Sequence, residues 1–118
     1  EELRDWQFYR VLARHVGGGA GRIFSGISAD EWRHAKRLSA AYFLISGIRY
    51  FPEPTGAVPL GSYLGSLRDR FMGEQNGAAA YLSAAEGCRD ACLRELFLAH
   101  AKEEQGHARL IRGIVEQL

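Results

Sequence analysis

The chain reads as an all-α protein, a four-helix bundle made of two helix pairs joined by a crossover loop. Three observations predict it. Apolar residues recur at three- and four-residue steps through four stretches, and no stretch sustains strand alternation. All three prolines fall in one segment, Phe51-Pro52-Glu53-Pro54-Thr55-Gly56-Ala57-Val58-Pro59, which breaks the chain once. The two halves also repeat one pattern. Glu2 precedes Glu31 by 29 residues, and Glu74 precedes Glu104 by 30. A tyrosine follows each first glutamate by seven residues, at Tyr9 and Tyr81, and Phe24 and Phe97 lie seven before Glu31 and Glu104. Each second glutamate opens a Glu-x-x-His-Ala run, Glu31 to Ala35 and Glu104 to Ala108.

The first helix is expected over 1–16, with Leu3, Trp6, Val11, Leu12 and Val16 among charges. Gly17-Gly18-Gly19 ends it, because glycine takes the left-handed geometry that helix ends often need. The second is expected from about Ala20 to about Tyr50, with Phe24, Ile27, Glu31, His34, Leu38, Ala41, Tyr42 and Ile45 at helical spacing. Gly21, Gly26 and Gly47 each weaken it by about 1 kcal/mol relative to alanine. Ser28-Ala29-Asp30-Glu31 has the form of a capping box, but continuation through it is expected. The linker is 51–59, longer than a tight turn between helices needs, which fits a crossover. A third helix over about 60–86 carries Leu64, Leu67, Phe71, Glu74, Ala78, Tyr81 and Ala85 on one face. The fourth, about 89–117, carries Cys92, Leu93, Leu96, Phe97, His100, Glu104, His107, Leu110, Ile111 and Ile114.

With 118 residues and 47% hydrophobic content, one domain spanning 1–118 is expected, with helix pairs 1–50 and 60–117. A net charge of +1 and the lack of a basic, aromatic-interleaved stripe argue against nucleic-acid binding. The longest apolar run, Ala40 to Ile45, is far short of the roughly 20 residues of a membrane span. No secretory signal is visible. The chain does not begin with Met, as expected of a processed or trimmed piece. Cys88 and Cys92, four apart, miss the C-x-x-C spacing and read as small, partly buried helix residues. A reducing compartment, the cytoplasm, is the expected location.

A step of three residues is about one helical turn, so Glu31 with His34, and Glu104 with His107, share a face. Buried carboxylates are expensive unless neutralised. Four of them at one level of a small bundle would repel strongly, and two cations would reverse that balance. One Glu from each of two helices, with Glu-x-x-His from each of the other two, is the ligand set of di-iron and di-manganese carboxylate bundles. The candidate metal ligands are therefore Glu2, Glu31, His34, Glu74, Glu104 and His107. Carboxylates with imidazoles suit iron or manganese. Structural zinc more often takes four ligands, sulfur among them. Tyr9 and Tyr81 stand two turns from Glu2 and Glu74. They either orient a carboxylate on another helix or pack in the core with their hydroxyls bonded elsewhere.

On these residues the sequence resembles the rubrerythrin-like branch of the ferritin-like di-iron superfamily, over essentially all 118 residues. The resemblance implies that Glu31 and Glu104 bridge two irons, or two manganese ions. Glu2 and Glu74 would be terminal ligands, with His34 and His107 completing the site. It implies a di-ferrous centre that reduces dioxygen or hydrogen peroxide, either detoxifying peroxide or oxidising ferrous iron for handling. It also implies a homodimer. The chain departs from the family twice. Peroxidase rubrerythrins carry a four-cysteine rubredoxin module, so here the electron donor would be a separate protein. They also carry a further carboxylate one turn after the third-helix ligand, where this chain has Gln75-Asn76-Gly77-Ala78. On the first helix Asp5 stands one turn from Glu2 and is a candidate additional ligand. A non-catalytic metal-binding or metal-sensing module of a larger protein or complex is the alternative reading.

Of the remaining polar residues, His100 reads as a core-edge histidine or a third imidazole ligand. His15 reads as a partner of the first helix's C-terminal dipole. Trp32 and Arg33 project off the ligand stripe, as interface residues would.

Overall fold

The computed structural model describes residues 2–50 and 61–118. The expected linker, 51–59, lies outside the described residues. Four helices make up the structure: α1 (Glu2–Val16), α2 (Gly18–Ser46), α3 (Tyr63–Glu86) and α4 (Ala91–Glu116), with no strand among the described residues. The chain divides into two compact units, Glu1–Pro59 and Leu60–Leu118, each holding one helix pair.

In the first unit α1 and α2 form an antiparallel hairpin. Glu2 meets His34, Trp6 meets Ser28, and Tyr9 stacks on Phe24, so positions ascend one helix as they descend the other. The reversal takes place at Gly17 and Gly18, whose φ angles of 66° and 61° lie in the left-handed region. Only Gly17 stands between the helices, so α2 starts two residues earlier than expected. Gly21 is buried where the helices converge, and a Cβ there would stand 3.1 Å from the Ala13 carbonyl oxygen. The glycine that weakens the helix locally thus also serves the close approach, where a side chain would press on the Ala13 carbonyl. Ser28 sits mid-helix without interrupting it, and its hydroxyl donates to the Trp6 carbonyl at 3.0 Å.

Helix α2 stops at Ser46, four residues before its expected end. Gly47 takes φ 75° and its N–H donates to the Phe43 carbonyl, forming a left-handed cap. The chain then turns back, with the Ser39 hydroxyl donating to the Tyr50 carbonyl at 2.6 Å. Tyr42, Phe43, Leu44 and Ile45 are exposed, although Tyr42 and Ile45 belong to the apolar stripe. The reason is length: α1 begins opposite His34, so α2 outruns it for about three turns.

In the second unit α3 and α4 also run antiparallel, Glu74 meeting His107 and Tyr81 meeting His100 and Phe97. Ser62 caps α3 by accepting from the Gly65 N–H, and Asp90 caps α4 by accepting from the Leu93 N–H. Between them, Arg94 donates twice to the Cys88 carbonyl. Cys88 therefore lies in the turn, not on a helix, and Cys92 is exposed. Leu67, Ala78, Ala85, Ala101, Ala108, Ile111 and Ile114 are buried. Leu64 and Leu110, expected on the same faces, are 62% and 46% exposed. At about 100° per residue, Leu64 points some 80° away from Glu74, and Leu110 some 120° away from Glu104.

Candidate metal centre

Each hairpin gathers two carboxylates and one imidazole. In the first, Glu2 stands in the opening turn of α1, and Glu31 and His34 stand one turn apart on α2. Glu31 and His34 are completely buried, and the Glu2 side chain is 12% exposed. His34 Nδ1 lies 3.2 Å from Glu2 Oε2 and 3.9 Å from Glu31 Oε1. In the second hairpin Glu74 is on α3, and Glu104 and His107 are on α4, all three buried. His107 Nδ1 lies 3.4 Å from Glu74 Oε2 and 3.7 Å from Glu104 Oε2. The two triads therefore share residue types, ring nitrogen and order of distances, as the sequence repeat requires.

The ligand atoms within each triad lie inside 4.8 Å of one another. Two donors each about 2.0–2.2 Å from one cation are about 3–4 Å apart when the angle between them is about 90–140°. All four measured separations fall in that span. The charge balance agrees. Two carboxylates about 4 Å apart repel by about 4 kcal/mol even at an effective dielectric near 20. Burial adds desolvation, which is costly for any unpaired charge. One divalent cation per triad cancels both carboxylates. The donors are oxygen and imidazole nitrogen with no sulfur, which suits iron or manganese. The residues present thus fit a divalent metal, three ligands to a hairpin.

The surroundings repeat as well. Tyr9 stacks on Phe24 with centroids 6.3 Å apart, and Tyr81 lies 6.2 Å from Phe97. Tyr9 is fully buried, whereas Tyr81 is half-buried. His100 is fully buried, not at the edge of the core, and meets the Tyr81 ring edge-on at 5.0 Å. It belongs to neither triad. Asp5, half-buried in the first turn of α1, also stands outside the triads. Gly77 was not singled out by spacing, yet it borders the site: a Cβ there would stand 3.7 Å from Glu104 Cδ and 3.9 Å from Oε2. Gly77 lies about one turn after Glu74, within the acid-free Gln75-Asn76-Gly77-Ala78 run. Trp32 is half-buried and packs 4.8 Å from Trp6 within its own hairpin. Arg33 pairs with Asp30 on the surface, and His15 Nδ1 lies 3.0 Å from the Val11 carbonyl near the end of α1.

No helix among the described residues is long and apolar enough to cross a membrane. No protein-family model matches the chain, and no solved structure matches it. A Bacillus subtilis (strain 168) protein named "Uncharacterized protein YhjR" is 33% identical over 108 residues, which is 91% of this chain and 74% of that protein. At that identity and coverage, the chain belongs to the YhjR family.

Proposed function

We propose that the two triads combine into one two-metal carboxylate centre within a ferritin-like four-helix bundle of the rubrerythrin type. The observation that carries this reading is the repeat itself. Two helix pairs of unequal length keep the same Glu, Glu-x-x-His set at nearly the same spacings, with five of the six residues buried. Glu31 and Glu104 are the proposed bridging ligands, Glu2 and Glu74 the terminal ones, and His34 and His107 bind one metal each. Iron is the proposed metal, with manganese the substitute that the same donors accept.

The proposed activity is reduction of dioxygen or hydrogen peroxide with oxidation of ferrous iron, in oxidative-stress defence or iron handling in the cytoplasm. Bound iron would supply the redox change. The chain's own groups hold the charge, fix the imidazoles and exclude water, since five of the six ligand residues are buried. A separate donor protein supplies electrons for repeated turnover, and a homodimer is the proposed assembly. The test is anaerobic ferrous loading followed by oxygen or peroxide, with iron oxidation and peroxide loss followed over many equivalents. Glu104→Ala is expected to abolish both. Iron binding with no oxidation would reject the oxidoreductase reading.

One observation favours a second reading. Gly77 leaves no side chain beside Glu104 on α3, within the Gln75-Asn76-Gly77-Ala78 run that lacks the further carboxylate of peroxidase rubrerythrins. A module that holds or senses metal without turnover fits that gap. It predicts stoichiometric binding and a single round of oxidation at most.

A further inference from the structure

The two hairpins differ on the flank beside the Glu-x-x-His stripe. In the first, Trp32 follows Glu31 and lies against Trp6, and Lys36 Nζ sits 5.8 Å above the Trp32 ring. In the second, the repeat puts Gln105 where the first has Trp32, Gln75 where it has Leu3, and Arg109 where it has Lys36. Trp6 corresponds to Ala78. The aromatic filling is gone and its cation remains. What is left is a groove of about 200 Å³ between α3 and α4, lined by Phe71, Gln75, Gln105, Ala108, Arg109 and Arg112.

We infer that this groove is a binding site for a small oxyanion of the phosphate or carboxylate class. Gln105, Ala108, Arg109 and Arg112 form one stripe of α4, at steps of three and four. Phe71 and Gln75 face them from α3. Arg109 and Arg112 make no ion pair among the described residues. The Arg109 guanidinium folds back one turn, where a Cβ on Gly106 would meet its Nη2 at 3.8 Å. Two guanidiniums present planar forks that match oxyanion geometry, and the two glutamine amides add N–H donors. Among the described residues no carboxylate lines the groove. Phe71 and Ala108 supply the apolar wall of the groove. The volume lies below the roughly 300–1,000 Å³ of pockets for drug-sized ligands, so the fitting ligand is a small ion. Gln75, Gln105 and Ala108 directly follow Glu74, Glu104 and His107. The ion would therefore bind beside the second triad without touching it.

The test is a titration of the ¹⁵N-labelled full chain with inorganic phosphate, and separately with succinate, chloride holding ionic strength constant. The expected result is saturable amide shifts centred on 71, 75, 105, 109 and 112. The Arg109→Ala, Arg112→Ala double variant should weaken binding by at least about tenfold, as expected for charged hydrogen bonds. Gln105→Trp should block binding by filling the groove with an indole, the residue that stands at the equivalent position 32, and both variants should keep wild-type metal content. Saturation by phosphate identifies a phosphate-type ligand, and saturation by succinate alone a carboxylate. Shifts that stay linear with both anions, or binding that persists unchanged in the double arginine variant, would overturn the inference.

Discussion

At the scale of single residues, the decisive groups are carboxylates that an ordinary core would not tolerate. Glu31, Glu74 and Glu104 are at most 3% exposed, and each lies within 4 Å of an imidazole on its own hairpin. Two physical states could satisfy them: a protonated histidine clamped by acids, or a metal ion. The states respond oppositely to Glu74→Gln, which keeps the shape and removes one charge. In a buried polar network it removes a partner from His107, costing about 1–3 kcal/mol or more. In a metal site it relieves repulsion in the metal-free protein and removes a ligand from the loaded one. The expected outcome is a melting temperature without metal that is unchanged or raised, together with loss of the stabilisation by ferrous iron. Thermal melts with chelator and with iron, on both proteins, check it. The Glu-x-x-His pairs were fully legible from spacing, because one helical turn dictates their shared face. The placement of His100 and the role of Gly77 were not. Both depend on what the facing helix presents, which periodicity does not encode.

At the scale of elements, the helices follow their local chemistry closely. Ser62 and Asp90 cap α3 and α4, and left-handed glycines end α1 and α2. The glycines inside α2 divide by environment. Gly26 has open space around its Cβ position, whereas Gly21 lies against the Ala13 carbonyl. Gly26→Ala is therefore expected to stabilise the protein by about 1 kcal/mol, the helix-propensity gain. Gly21→Ala is expected to destabilise it despite the same gain, because a backbone carbonyl cannot move aside without parting the hairpin. Equilibrium urea unfolding of the two variants separates these effects, and equal stabilisation by both would contradict the packing described. The sequence marked Gly21, Gly26 and Gly47 alike as weak points. Their separate roles as close contact, spectator and cap arise from tertiary placement. The overlong expectation for α2 has the same origin, since its apolar stripe continues past the point where α1 begins.

At the scale of the whole molecule, the repeat is the organising fact. A chain of 118 residues builds two antiparallel hairpins, each carrying one copy of the Glu, Glu-x-x-His pattern. Its relationship to YhjR covers 91% of the chain and so includes both halves. If the triads act as one centre, removing a ligand from either hairpin should impair both metals. Glu104→Ala and Glu31→Ala should each lower iron stoichiometry from two per chain to one or none, and titration with ferrous iron under anaerobic conditions counts the sites. Specific metal should also stabilise the fold. At free metal about 1,000 times Kd the gain is about 4 kcal/mol, enough to raise Tm by about 10 °C or more.

The most direct measurement is elemental analysis of the purified protein before and after anaerobic ferrous loading. The account predicts about two irons per chain after loading, an absorption change on exposure to air, and removal of both irons by chelator with loss of thermal stability. A protein that takes up no metal under either condition, and melts identically with iron and with chelator, would show that the buried glutamates and histidines form a polar network and not a metal centre.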